Sequence, residues 1–124
     1  LEILMTLDFL YILELMNDYE KLYLTYLVQG LTLNKLDFIH RGMLKLYEID
    51  YFKNDTSLFI DWIDQAEAVI SEKVDLAEVD RYLAAFVYMH YKHTNHAMTK
   101  KQIIDSFEVT RYKLDKTIAF ILSI

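Results

Sequence analysis

The chain contains no proline and only two glycines, Gly30 and Gly42, in 124 residues. A sheet protein of this length needs many tight turns, and such turns draw on glycine and proline. Helices joined by short polar links need far fewer of them. In addition, 54% of the residues are hydrophobic and 15% are aromatic, which is enough for a buried core. The composition therefore predicts one all-α domain over residues 1–124.

Several classes of chemistry are excluded by composition. The chain has no cysteine, which excludes disulfides, thiolate catalysis, iron–sulfur clusters and the common zinc knuckles. Two isolated glycines cannot form a glycine-rich phosphate loop. No serine, lysine or tyrosine lies in a motif that would make it a nucleophile. We therefore expect no enzyme activity, no cofactor and no metal.

No segment has the length and apolar character of a membrane span. The longest uncharged window, residues 22–34, has 13 residues, against roughly 20 required. Neither a basic start nor a small-residue cleavage site indicates secretion. We expect an intracellular protein, in the cytoplasm or the nucleus. The chain begins with Leu1 rather than Met, so we expect that part of the protein is missing.

Charge is unevenly distributed along the chain. The net charge is −6, which opposes binding to a polyanion. Residues 1–90 carry 7 Lys and Arg against 16 Asp and Glu, a balance of −9. Residues 91–124 carry 6 against 3, a balance of +3. This asymmetry indicates that any phosphate binding lies near the C-terminus.

Apolar residues recur at steps of three and four along most of the chain, which is helical spacing. They predict six helices and no strand, over residues 2–29, 34–52, 58–72, 75–92, 99–107 and 110–124, with a polar loop at 53–57. Capping-box spacing marks helix starts at residues 75–78 and 99–102. The short helix, tight link and longer helix over residues 99–123 are typical of a helix-turn-helix.

Two neighbouring segments resemble a known family. They are Tyr-Leu-Ala-Ala-Phe-Val-Tyr-Met-His-Tyr-Lys at residues 82–92 and Thr-Lys-Lys-Gln-Ile-Ile-Asp-Ser-Phe-Glu-Val-Thr-Arg-Tyr-Lys-Leu at 99–114. With the six-residue link between them, they resemble the repeat of the transcription factor IIB family. The matching positions are Ala84, Ala85, Tyr88, Lys92, Thr99, Lys101, Ile103, Val109, Thr110 and Leu114.

The resemblance implies a cyclin-box fold, in which five helices include a central, buried third helix. Here that third helix is the one predicted over residues 75–92, and the helix predicted over residues 2–29 is an addition. The family's glycine-rich basic turn before the third helix is absent, and so is the proline of the following link. Cyclins share the fold, and residues 74–83 also resemble the start of a cyclin's third helix.

Basic residues cluster around the predicted helix-turn-helix. In this motif the second helix presents its N-terminal residues to base edges, and the first helix contacts phosphate. The expected base or groove contacts are Arg111 and Lys113. The expected phosphate contacts are Lys100, Lys101, Lys116 and the capping Thr110, and Tyr112 lies among them. The alternative is that these residues form the solvated faces of two short helices.

A protein partner is expected as well. Tyr19, Tyr23 and Tyr26 on the N-terminal helix could form an interface, since tyrosine is frequent in half-buried contact surfaces. Internal packing is the alternative for these rings. Lys92 matches the lysine that cyclins direct towards a kinase. The resemblance thus implies a polymerase or kinase subunit as partner, and a homodimer is a further candidate assembly.

Three histidines recur at intervals of three residues, His90, His93 and His96. A turn after Lys92 could gather them, but no nearby carboxylate or thiolate completes a metal site. Polar turn residues are the simpler interpretation. His40, alone on a helix, is similarly expected to be an ordinary core or surface histidine.

Three acidic residues, Asp61, Asp64 and Glu67, follow one side of a predicted helix. Two such carboxylates could share a proton or bind a cation. A solvated acidic face is the simpler interpretation. The single tryptophan, Trp62, is expected in the core.

The sequence therefore predicts an all-α, cyclin-like five-helix domain with an extra N-terminal helix and a C-terminal helix-turn-helix. The expected function is DNA binding in transcription regulation, combined with protein–protein interaction. The alternative is a cyclin-like adaptor that binds a kinase or another protein and never touches DNA. Net charge favours the adaptor, and the basic end favours DNA. A winged-helix repressor is a third interpretation, although no wing follows Ile124.

Overall fold

The computed structural model describes Met16 and residues 33–71, 74–94 and 98–124. These residues contain helices and turns and no strand, so the all-α prediction is confirmed for them. The helices are α1 Leu33–Tyr47, α2 Thr56–Val69, α3 Val79–His93, α4 Lys100–Ser106 and α5 Arg111–Leu122, with a 3₁₀ helix at Leu76–Glu78. Apart from Met16, the helix predicted over residues 2–29 lies outside the described residues.

The chain divides between Val74 and Asp75 into two compact units. The N-terminal unit includes α1 and α2, and the C-terminal unit includes the 3₁₀ helix with α3, α4 and α5. That residues 1–124 form a single domain stays a prediction. Within the described ranges, neither unit has a helix with the length and apolar character needed to cross a membrane.

The helix ends in the N-terminal unit differ from those predicted by apolar spacing. Helix α1 ends at Tyr47 rather than at residue 52, because a series of tight turns follows it. Helix α2 begins at Thr56, inside the predicted loop. The reason is a side-chain cap, in which the Asp55 carboxylate accepts a hydrogen bond from the Leu58 amide at 3.1 Å. Such a cap satisfies a backbone donor that the helix itself leaves unpaired.

Trp62 lies in the core of the N-terminal unit, as predicted, and is 1% exposed. Its ring stacks on Phe38 with 5.9 Å between ring centroids, and its Nε1 donates a hydrogen bond to the Ile39 carbonyl at 3.0 Å. The indole also lies directly against Gly42, where an added Cβ would be 2.2 Å from Trp62 Cζ2. The missing side chain of Gly42 therefore allows α1 and α2 to pack this closely.

Helix α3 packs against both α4 and α5 in the C-terminal unit. Its small residues Ala84 and Ala85 are fully buried, which fits the close helix crossing expected for them. The start of α3 differs from the predicted capping box. Asp75 accepts a hydrogen bond from the Ala77 amide at 2.9 Å and opens the 3₁₀ helix instead.

Candidate nucleic-acid interface

Two threonine side chains fix the starts of α4 and α5. At α4, the Thr99 hydroxyl accepts a hydrogen bond from the Gln102 amide at 3.1 Å, and the Gln102 side chain accepts one from the Thr99 amide at 2.8 Å. This is the capping box predicted for residues 99–102. At α5, Thr110 Oγ1 accepts a hydrogen bond from the Lys113 amide at 3.2 Å. The predicted capping role of Thr110 is therefore confirmed.

A short non-helical link separates the two helices. Phe107 has extended backbone angles, φ −126° and ψ 154°, and ends α4. The Val109 amide then donates to the Phe107 carbonyl at 2.9 Å, which turns the chain towards Thr110. The buried side chains on either side of the link are Ile103, Phe107, Leu114, Thr117 and Ile121. The predicted break between a short helix and a longer one is therefore present.

The predicted nucleic-acid contacts lie on α4, on α5 and on the cap between them. Helices α4 and α5 pack against each other as well as against α3. Of the seven predicted residues, Lys100 is half-buried, and six are exposed: Lys101, Thr110, Arg111, Tyr112, Lys113 and Lys116. Tyr112 is 70% exposed. The cluster thus belongs to two contacting helices, and most of it faces solvent.

Asp115 on α5 binds two of these cations at once. Its Oδ1 accepts a hydrogen bond from Lys100 Nζ at 2.7 Å, and its Oδ2 accepts one from Arg111 Nε at 3.3 Å. The Lys100 hydrogen bond, with the positive charges of both cations, holds the pKa of Asp115 below its usual value. The carboxylate is therefore ionised at neutral pH. Lys100, Arg111 and Asp115 are called the Asp115 cluster below.

Aromatic rings lie beside two of the lysines. Lys100 Nζ is 5.7 Å from the ring centroid of Tyr88 on α3, and Lys116 Nζ is 5.5 Å from that of Tyr112. At such distances an ammonium group is attracted to the face of the ring. Lys100 therefore links α4 to both α3 and α5, whereas Lys116 contacts Tyr112 on the same helix, α5.

Lys101 and Lys113 differ from these tethered cations. Both are exposed, and neither forms an ion pair with another described residue. Lys101 lies in the first turn of α4, and Lys113 in the first turn of α5. An external anion can therefore reach both of them without displacing a carboxylate or an aromatic ring.

Of the predicted partner-binding residues, Lys92 is the one that the structure describes. Lys92 is exposed in the last turn of α3. Tyr19, Tyr23 and Tyr26 lie outside the described residues, so their interface role stays a prediction.

The histidine series is only partly described. His90 is buried, with its ring edge-on to Tyr91 at 5.2 Å between centroids, and His93 is exposed. His96 lies outside the described residues. In the part of the chain that the structure describes, no three His, Cys, Asp or Glu side chains are grouped so that they could hold a metal ion. His40 on α1 is buried, in line with an ordinary core histidine.

The acidic residues of α2 show a modest electrostatic effect. Partial desolvation raises the pKa of Asp64 above its usual value, and the negative charge of Glu67 raises it further. Asp61 is half-buried on the same helix. The raised pKa follows first from partial burial and second from the carboxylate one turn away, which is the behaviour of an acidic helix face.

Sequence reasoning missed two members of this surface, Asp115 and Tyr88. The four-residue spacing from Arg111 to Asp115 is a helix-surface neighbour signal that could have found one ion pair. The pair of Lys100 with Asp115 spans a helix break, and no local spacing indicates it. Comparison with known proteins adds no guide, since the chain matches no family model, no curated protein and no solved structure.

Proposed function

We propose that the C-terminal unit is a helix-turn-helix module that binds DNA, as the family resembled by residues 82–114 does. The observation that carries the proposal is the Thr110-capped break, which starts an exposed basic helix immediately after a short one. In this arrangement Arg111, Tyr112 and Lys113 would contact base edges or the adjoining phosphates of the major groove. Lys101 would contact phosphate from the preceding helix.

The proposal extends to the fold and to a partner. A cyclin-like arrangement has a central third helix, and the full burial of Ala84 and Ala85 on α3 supports that assignment. Lys92, exposed at the end of α3, would then be available to a polymerase or kinase subunit. Such a protein would act inside the cell, in the nucleus or cytoplasm.

The test is a salt-dependent DNA titration with charge-matched variants. The full chain is titrated onto fluorescent random-sequence duplex DNA, and Kd is measured by anisotropy between about 50 and 200 mM salt. The test variant is Lys101→Ala with Lys113→Ala. The control is Arg41→Ala with Lys53→Ala, which removes two exposed positive charges from the N-terminal unit.

The two double variants should behave differently. Loss of two phosphate or groove contacts should weaken binding and make the slope of log Kd against log salt shallower by about 2. The control should retain the slope of the unmodified chain. Equal losses in both variants, or no salt-dependent binding by the unmodified chain, would refute the proposal.

A second candidate function is a protein–protein adaptor without DNA binding. It is favoured by three exposed apolar residues near the end of the chain, Phe120, Leu122 and Ile124, which are 49%, 69% and 71% exposed. Apolar surface of this kind is typical of protein contact sites. The same titration separates the candidates, since an adaptor would show no binding that depends on Lys101 and Lys113.

A further inference from the structure

The Asp115 cluster places two cations from different helices around one carboxylate. Lys100 comes from α4 and Arg111 from the first position of α5. Each cation takes a different oxygen, at 2.7 Å for Lys100 Nζ and 3.3 Å for Arg111 Nε. The carboxylate is therefore held by one cation from each of the two helices proposed to bind DNA.

The two cations match a phosphate group as well as a carboxylate. A phosphodiester, like a carboxylate, presents two equivalent anionic oxygens, and Lys and Arg donate to either. Nε is one of five N–H donors of the Arg111 guanidinium, and that side chain is 63% exposed. Lys100 is only 29% exposed and lies beside the Tyr88 ring. One cation of the pair is thus held in place, and the other is accessible.

We propose that Lys100 and Arg111 form a phosphate-binding site that the Asp115 carboxylate occupies in the unbound protein, and that a DNA phosphate displaces. The proposal rests on the proposed DNA-binding function and specifies the regulation of that surface. Asp115 competes with phosphate for both cations and also repels it, since like charges close together are unfavourable. At 45% exposure the carboxylate can turn into solvent when phosphate enters.

The test compares two single-charge variants in the same DNA titration. Asp115→Asn removes the competing charge with little change of shape, and Asp115→Ala removes the acceptor altogether. The matched control is Asp105→Asn, which removes an exposed negative charge from α4 outside the cluster. Circular dichroism of each variant checks that the helices are retained.

Release of the two cations should tighten DNA binding about tenfold at about 50 mM salt and steepen the salt slope by about 1 to 2 in both Asp115 variants. Asp105→Asn should change Kd less than about threefold, without changing the slope. If the Asp115 variants bind no more tightly than Asp105→Asn, the competitor role is refuted. Weaker binding would refute it too, because Asp115 would then be only a structural link.

A second probe, inorganic phosphate alone, keeps this inference separate from the proposed function. The Arg111 Nε–H signal, one of three arginine signals expected from the sequence, is followed by NMR. It should respond at lower phosphate concentration in Asp115→Asn than in the unmodified chain. That response without DNA binding would refute the proposed function and retain the phosphate site. Normal DNA binding with an unresponsive Arg111 would refute the phosphate site alone.

Discussion

Both units of the molecule have buried apolar residues and a side-chain helix cap, but they differ in the contacts that bear on function. In the N-terminal unit, rings pack in the interior, with Trp62 stacked on Phe38 and a hydrogen bond from its indole to the backbone. In the C-terminal unit, polar side chains fix the helix ends and the helix surfaces. Thr99 and Thr110 cap two helices, and Asp115 joins two cations.

The difference matters for function because buried and exposed contacts constrain a surface differently. The packing around Trp62 leaves no space for a side chain at Gly42. The cations of α4 and α5 lie at the solvent surface, where we propose that an external anion replaces their carboxylate partner. The contrast teaches that the C-terminal unit, in which a group of basic side chains faces solvent, is the better candidate for recognition.

The largest change in the free energy of unfolding is expected at Gly42, which lies directly against the indole of Trp62. Gly42→Ala places a methyl carbon against the indole of Trp62, at 2.2 Å from Cζ2 in the present geometry. Overpacking should cost about 3 kcal/mol, and the better helix propensity of alanine should return about 1 kcal/mol. We expect a net decrease of about 2 kcal/mol in the free energy of unfolding, measured by urea denaturation followed by circular dichroism.

A double-mutant cycle tests whether the indole of Trp62 is what a methyl group at residue 42 meets. Trp62→Phe replaces the indole with a smaller ring and removes its hydrogen bond to Ile39. In that background, Gly42→Ala should cost roughly half as much or less, because residues in contact are not additive. An undiminished loss would show that the indole is not what restricts residue 42.

Local signals accounted for much of the fold. Apolar spacing gave the order of the described helices, and the Thr99 capping box and Thr110 cap appeared where residue types predicted them. Helix ends that depend on other contacts were harder to predict from the sequence. The start of α2 depends on an Asp55 side-chain cap that apolar spacing does not record. Gly42 likewise gives no sign in the sequence that it lies against Trp62.

The basic residues of the candidate surface could be predicted from the sequence, but the contacts between them and their partners could not. Charge asymmetry and the helix break indicated Lys101 and Lys113, which are exposed. The partners of Lys100 depend on how α3, α4 and α5 pack, since Tyr88 and Asp115 are distant from it in sequence. Tertiary contacts of this kind decide which cations remain available, and composition cannot show them.

The next largest change in the free energy of unfolding is expected from the helix caps of the C-terminal unit. Thr99→Ala and Thr110→Ala each remove a hydroxyl that accepts a backbone hydrogen bond. Each should lower the free energy of unfolding by about 1 kcal/mol. Thr94→Ala is the matched control, since Thr94 is exposed at the C-terminal end of α3, and it should change stability by less than about 0.5 kcal/mol. Equal effects of all three would contradict the capping assignment.

The smallest effect is expected from the ion pairs of Asp115, because solvent screens exposed charges. The pKa of Asp115 is lowered in the folded protein, so its ionised form adds stability above the usual carboxyl pKa and loses it on acidification. The stability difference between the unmodified chain and Asp115→Asn should be constant from about pH 5 to 8 and shrink below about pH 4. Thermal unfolding at each pH measures this difference, and acidic groups common to both chains cancel. High salt should reduce it at neutral pH. A stability difference that persists unchanged at about pH 3 would show that Asp115 acts through shape rather than charge. The threonine caps, and not the Asp115 ion pairs, would then be the polar contacts that stabilise α4 and α5.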